Sequence, residues 1–182
     1  MDGYYSIFQN LQPSLYQIQI LITAIAYVMG VFYLIKGVNS LKHAGEMRAQ
    51  MSQQHHAMKE PAYYLLVGSM LVYLPSAMSS FLVTVFGSND ILSYNQLQGA
   101  NSLFTTLYGA TGFFGQDLII FVQIIGLISF IRGWVIVAKG AQQGGHQQGG
   151  LGKGMMHIFG GIMAINIVQT INVIMNTLFV PS

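Results

Sequence analysis

Cysteine is absent from the 182-residue chain and charge nearly so, with Asp, Glu, Lys and Arg together making up 7%, against roughly 25% in an ordinary soluble domain. The first absence excludes disulfide scaffolds, thiolate metal sites and thiol nucleophiles. The second excludes a soluble globular protein. What remains is 53% apolar by a broad count. A transmembrane helix uses about 20 mainly apolar residues, so four of them take up ~80 positions and leave only loops and short tails. A soluble catalytic domain does not fit in that remainder. The formal charge of +2 is too small to point to nucleic acid, and no direct nucleic-acid binding is expected.

Carboxylates are missing from the places where membrane chemistry needs them. Asp2, Glu46, Glu60, Asp90 and Asp117 all lie in tails, loops or span boundaries. An acid buried mid-span marks a proton relay or a catalytic site because its burial is costly. Their positions here argue against a proton pathway, an intramembrane aspartyl protease and a carboxylate metal site. His55, His56 and His146 sit in Gln- and Gly-rich loops without enough converging ligands for a metal, and His157 opens the last apolar run at the interface. The GGLGKG run from Gly149 to Gly154 lacks both the hydroxyl after the lysine and the preceding strand of a phosphate loop, so it reads as a flexible turn. No catalytic residue, cofactor or metal ligand is assigned.

Hydropathy gives four runs, at 18–35, 62–86, 118–138 and 157–180. Pro75 predicts a kink in the second, and Arg132 in the third marks the start of the interface. Residues 1–17 lack the basic start and small-residue cleavage site of a secretory signal, so the first run is expected to stay as a helix. All seven basic residues fall in two places. Lys36, Lys42, Arg48 and Lys59 follow the first run, and Arg132, Lys139 and Lys153 follow the third. Because cytoplasmic loops are enriched in Lys and Arg, loops 36–60 and 139–156 are expected in the cytoplasm and both termini on the far side of the membrane.

The halves match at an offset of 96 residues. Ser6-Ile7-Phe8 aligns with Ser102-Leu103-Phe104, Leu11 with Leu107, Gly30 with Gly126, and Leu34-Ile35-Lys36-Gly37 with Phe130-Ile131-Arg132-Gly133. After the loops the register slips, and Gly68-Ser69-Met70 meets Gly161-Ile162-Met163. The fold expected is an all-α membrane protein of four transmembrane helices in two tandem, parallel-repeat hairpins. Its parts are a first hairpin at 1–86, a periplasmic linker at 87–99 and a second hairpin at 100–182. Ile7, Phe8 and Leu11, like Leu103, Phe104, Leu107 and Tyr108, recur at helical spacing, and Pro13 and Gly109 punctuate the chain after them. A short amphipathic helix is therefore expected before each hairpin, with a plain loop as the alternative.

Two features within the runs suggest how they associate. Gly30 and Gly37, and equally Gly126 and Gly133, are seven apart and share a helix face, which lets another backbone approach; Gly68 and the Gly160-Gly161 pair suit the same role in the second helices. In the fourth run Asn166, Gln169, Asn172 and Asn176 form a stripe, with Thr170 and Val173 beside them. Amides are costly against lipid, so the stripe faces either another helix or a polar path through an oligomer. Gln17, Gln19 and Gln123 are possible partners.

The segment LGKGMMHIFGGIMAINI, residues 151–167, resembles the region entering the last helix of small inner-membrane proteins of type IVB secretion systems. These are the IcmC/DotE group of Dot/Icm systems and the TraQ-like proteins of IncI-type conjugation; IcmD- and DotV-type relatives share similar short segments. The resemblance covers chiefly the last third of the chain and is a packing signature. It implies a non-enzymatic structural subunit of an apparatus that moves proteins or DNA. Its partners would be the lipid bilayer and other membrane components of the system, in a homo- or hetero-oligomer. Each half also resembles the membrane-stored form of a conjugative pilin. A small oligomeric channel or transporter with the amide stripe lining its path is the second reading, and an enzyme the third.

Overall fold

A computed structural model describes residues 2–50, 59–87, 115–142 and 149–178, and among them every regular element is a helix. In chain order these are α1 (Asp2–Gln50), α2 (Lys59–Val72), α3 (Leu74–Phe86), α4 (Gly115–Gln142), α5 (Gly149–Ile165) and α6 (Ile167–Leu178). Helix is the only local solution for long apolar runs in lipid, since it satisfies each backbone N–H and C=O within its own segment.

Two of these helices, over Ser14–Glu46 and Ile119–Gly140, are long and apolar enough to cross a bilayer; α2 and α3 make a third if the bent pair counts as one span. The chain thus carries the helices of a membrane protein. The run expected at 157–180 is divided at Asn166, into a helix of 17 residues and one of 12, and neither piece reaches the length of a full crossing.

Helix ends follow local chemistry. Pro61 lies in the first turn of α2, where its missing N–H would have no helical partner, and Glu60 beside it meets the positive end of the helix dipole. Lys139 complements the opposite end of α4. Gly87, at φ +71°, closes α3 in the left-handed conformation, and its N–H donates to the Val83 carbonyl at 2.9 Å.

Other boundaries differ from the sequence reading. α1 is unbroken from Asp2 through Pro13 to Gln50, so residues 2–13 continue the first apolar run instead of forming a separate surface helix. The basic stretch from Lys36 to Arg48 is likewise helical. The GGLGKG run forms the opening turns of α5. The counterpart amphipathic segment at 103–108, most of the linker, His55, His56, Asp90 and His146 lie outside the described residues.

The chain packs as two compact units, each drawing on both halves of the sequence. One comprises Met1–Leu21, Met78–Ile128 and Gly160–Ser182, and the other Ile22–Ala77 and Ser129–Phe159. Leu82, Ile124, Leu127, Ile162 and Ile165 are among the buried apolar residues of the first, and Tyr64, Val67, Leu71, Phe130 and Ile158 among those of the second.

Candidate functional site

Glycines on α1 bring it against α2. A Cβ at Gly30 would lie 2.7 Å from the Val72 backbone N and 3.0 Å from the Gly68 carbonyl; at Gly37 it would meet Leu65, with Cδ2 at 2.9 Å and the backbone N at 3.1 Å. Gly68 in turn meets Leu34, at 2.8 Å from its backbone N. Advancing along α1 means retreating along α2, so the two run antiparallel. On α4, Gly126 would place a Cβ 2.7 Å from the Ile165 N and 2.9 Å from the Gly161 carbonyl, and Gly133 would place one 2.8 Å from both the Ile158 N and the Gly154 carbonyl. Real Cβ atoms do not tolerate these separations, so the backbones touch because the side chains are missing.

These contacts share one numbering relation. Gly30 and Gly37 map to Gly126 and Gly133 at the offset of 96, while Leu65, Gly68 and Val72 map to Ile158, Gly161 and Ile165 at 93. Seven residues further on, buried Ala44 of α1 corresponds to Gly140 of α4, and Gly140 sits beside Gly150. Of the glycines expected to pack, Gly160 differs from the rest, for a Cβ there meets nothing within 4 Å, whereas Gly161 beside it is buried. Gly154 was missed as a packing residue because it was read as part of a turn.

The second helices break at corresponding residues. At Tyr73 the chain turns through 90° between α2 and α3, close to the kink expected at Pro75, which has no N–H to offer the Leu71 carbonyl. Tyr73 N–H still donates to Ser69 at 3.0 Å, and Ala77 N–H to Tyr73 at 2.9 Å. In the other half Asn166 N–H donates to Ile162 at 3.2 Å, and Thr170 N–H to Asn166 at 2.9 Å. Each residue in this second set lies 93 after its counterpart in the first. There is no proline at this break. Instead the Thr170 hydroxyl is placed 2.9 Å from the carbonyls of both Met163 and Asn166, so a side chain takes over a carbonyl freed by the interruption.

Beyond the breaks lie polar stripes. Asn166 is buried, and its Nδ2 donates to Gln169 Oε1 at 3.0 Å, so the structure brings these two members of the amide stripe together. Asn172 and Asn176 fall on α6, with side chains outside the description. In α3 Ser76 and Ser79 match Gln169 and Asn172, while Asn176 is matched by Val83, and Thr84 donates to the Ser80 carbonyl at 2.7 Å as Thr177 does to that of Val173. The serine stripe was legible by the same offset. Gln19, Gln123, Asn166 and Thr170, the buried non-aromatic polar residues described, all belong to the first unit. These residues offer uncharged hydrogen-bonding groups.

The basic residues all belong to the second unit. Lys36 Nζ lies 4.7 Å over the Tyr64 ring, which is stacked on Tyr33. At the matching place in the second hairpin Arg132 is exposed, Ser129 Oγ donates to the His157 carbonyl at 3.2 Å, and His157 Nδ1 donates to that of Lys153 at 2.9 Å. Lys42, Lys59, Lys139 and Lys153 are exposed; the Arg48 side chain lies outside the description. His43 and Glu46 form an exposed pair at 3.6 Å. No three His, Asp or Glu residues among those described gather closely enough to hold a metal ion.

Comparison of the chain with protein-family models, with curated proteins and with solved structures finds no match.

Proposed function

We infer that this chain is a structural subunit of a bacterial inner-membrane assembly, built as two tandem hairpins that cross the bilayer four times, the second helix of each being interrupted. The observation that carries this reading is the shared contact set. Gly30 against Gly68 and Val72, and Gly126 against Gly161 and Ile165, are the same packing at fixed offsets, and the breaks at Tyr73 and Asn166 repeat it. A chain whose repeated residues serve close backbone approach is suited to assembly through helix faces.

The type IVB secretion or conjugation apparatus is the assembly we assign, on the resemblance in residues 151–167. That segment spans most of α5, and Gly154 and Gly161 within it are where α4 makes its nearest approach. Orientation rests on the basic residues, which place both termini in the periplasm. The test is purification in mild detergent with mass spectrometry of what co-elutes. Secretion-system membrane components in the eluate support the reading, and a stand-alone oligomer that conducts ions in bilayers overturns it. The hydrogen-bonded amides of Asn166 and Gln169 favour that second possibility, a small channel with a polar path.

Topology has its own test, made clean by the lack of native cysteine. Cysteine at Gln50 or Gln147 should resist an impermeant thiol reagent added outside, while cysteine at Tyr5, Asn89 or Ser182 should react. The opposite pattern overturns the orientation.

A further inference from the structure

Where each first helix leaves its apolar run, the two helix pairs carry matching positions but different charge. At the offset of 96 Lys36 corresponds to Arg132 and Tyr33 to Ser129; at 93 Tyr64 corresponds to His157 and Glu60 to Lys153. In the first pair the cation is satisfied from within. Lys36 Nζ lies over the Tyr64 ring, Tyr33 stacks on that ring, and Glu60 stands one turn before it in α2. Further along α1, His43 pairs with Glu46. The second pair has neither acid, for Glu60 has become Lys153 and Glu46 has become Gln142, while His43 has become Lys139. Arg132 and Lys153 are both exposed. Among the described residues, neither side chain meets a hydrogen-bond or ion-pair partner.

Helix geometry gathers these groups on one side. Gly133 of α4 touches Gly154 and Ile158 of α5, and the two helices run antiparallel. Arg132 stands one residue before Gly133, and Lys153 and His157 stand one residue before Gly154 and Ile158. One residue is a rotation of about 100°. Seen from one end, antiparallel neighbours wind in opposite senses, so a step back from their contact leads to the same flank on both helices. Ser129, three residues before Arg132, fixes that sense by donating to the His157 carbonyl at 3.2 Å. The first pair obeys the same rule, since Lys36 precedes Gly37, Tyr64 precedes Leu65, and the lysine reaches the tyrosine ring. The flank of α4 and α5 therefore holds a guanidinium, an ammonium and an imidazole. His157 Nδ1 is used on the Lys153 carbonyl at 2.9 Å, which leaves Nε2 for another partner.

We propose that this flank, carrying Arg132, Lys153 and His157, binds a phosphate group of net negative charge. A guanidinium offers paired N–H groups that fit two phosphate oxygens, and an ammonium adds a compact charge. Basic residues between helices at the end of an apolar run suit the headgroup of an anionic phospholipid, and a soluble phosphate presents the same oxygens. The corresponding flank of α1 and α2 binds none, because Lys36 is covered by rings and Glu60 repels an anion. The site lies within one helix pair and does not depend on which assembly the chain joins.

The experiment is native mass spectrometry of the full chain in mild detergent, titrated separately with phosphatidylglycerol, phosphatidylcholine and inorganic phosphate. The wild-type chain should retain phosphatidylglycerol severalfold more than phosphatidylcholine, whose choline cancels the phosphate charge. Arg132→Gln and Lys153→Gln should each cut that retention severalfold, and Lys153→Glu, which restores the acid of the first pair, should cut it furthest. Lys36→Gln and Lys42→Gln remove the same unit of charge elsewhere and should leave retention nearly unchanged. Circular dichroism checks that each variant keeps its helices; Arg132, Lys153 and Lys42 are exposed. Inorganic phosphate bound in place of the lipid, and lost in the same α4 and α5 variants, assigns the site to a soluble phosphate and keeps the proposal. Equal losses from Lys36→Gln or Lys42→Gln reveal only a general attraction to cationic protein and overturn it, as does a wild-type chain that retains neither phosphate source. A stand-alone conducting oligomer that still holds the lipid through Arg132 and Lys153 removes the secretion assignment and keeps this site.

Discussion

The helix pairs α1–α2 and α4–α5 make matching glycine contacts but are covered differently by the rest of the chain. Of the most apolar 18-residue stretch of each first helix, 17% is buried in α1 and 50% in α4. Glycine contacts are shared, so the difference does not come from how each first helix meets its second. It comes from the remaining circumference, which the chain covers on α4 and leaves bare on α1. Packing within each helix pair is therefore alike, and packing around the first helix is where the two pairs differ. The cationic positions differ too, with Lys36 over a tyrosine stack in one pair and Arg132 exposed in the other.

Equivalent substitutions in the two halves put that comparison to work. The largest expected difference is between Gly133→Ala and Gly37→Ala. At Gly133 the new methyl meets two backbone atoms at 2.8 Å; at Gly37 its nearest neighbours belong to the Leu65 side chain, which can turn away. Overpacking typically costs about 1–3 kcal/mol, and we expect Gly133→Ala near the top of that range and Gly37→Ala near the bottom. Unfolding in mixed micelles followed by helical circular dichroism measures both, and equal costs would mean that the second hairpin is no more rigid than the first.

Thr170→Val comes next. It keeps the shape and removes the hydroxyl that sits 2.9 Å from Met163 and Asn166 carbonyls, at a cost of about 1 kcal/mol. A smaller effect is expected from Val168→Pro, which places proline where the offset of 93 puts Pro75. Proline inside a helix ordinarily costs about 3 kcal/mol or more. Here Val168 is the second residue of α6, where the first-turn N–H is dispensable, so we expect a loss below about 1 kcal/mol. A loss as large as that of Ile128→Pro in the middle of α4 would show that the two breaks are unlike. The smallest change belongs to Gly160→Ala, where open space surrounds the site. Helix propensity then favours alanine, by up to about 1 kcal/mol.

The sequence made the membrane class, the glycine faces and the kink near Pro75 readable, because each depends on residues close together along the chain. Lys36 looked like the end of a helix since charge is costly in lipid, yet nothing obliges a helix to stop where the apolar stretch does, and α1 continues to Gln50. Gly150 and Gly154 looked like turn residues because glycine weakens isolated helices; their tight fit against Gly140 and Val137 is a property of the neighbouring helix. The break at Asn166 escaped notice for the same reason. Pro75 announces its break alone, whereas Asn166 and Thr170 show one only when set beside Tyr73 and Ala77. Of the amide stripe, the pairing of Asn166 with Gln169 was legible from their spacing, and its serine counterpart in α3 needed the alignment of the halves.

The uninterrupted first helix sets a distance. The 14 residues after Lys36, ending at Gln50, extend it by about 21 Å at 1.5 Å per residue. Because the rod is continuous, Lys42 and Arg48 keep a fixed separation of about 9 Å along its axis, like marks on a ruler. Inserting or deleting whole turns there changes that length without changing which face each residue lies on.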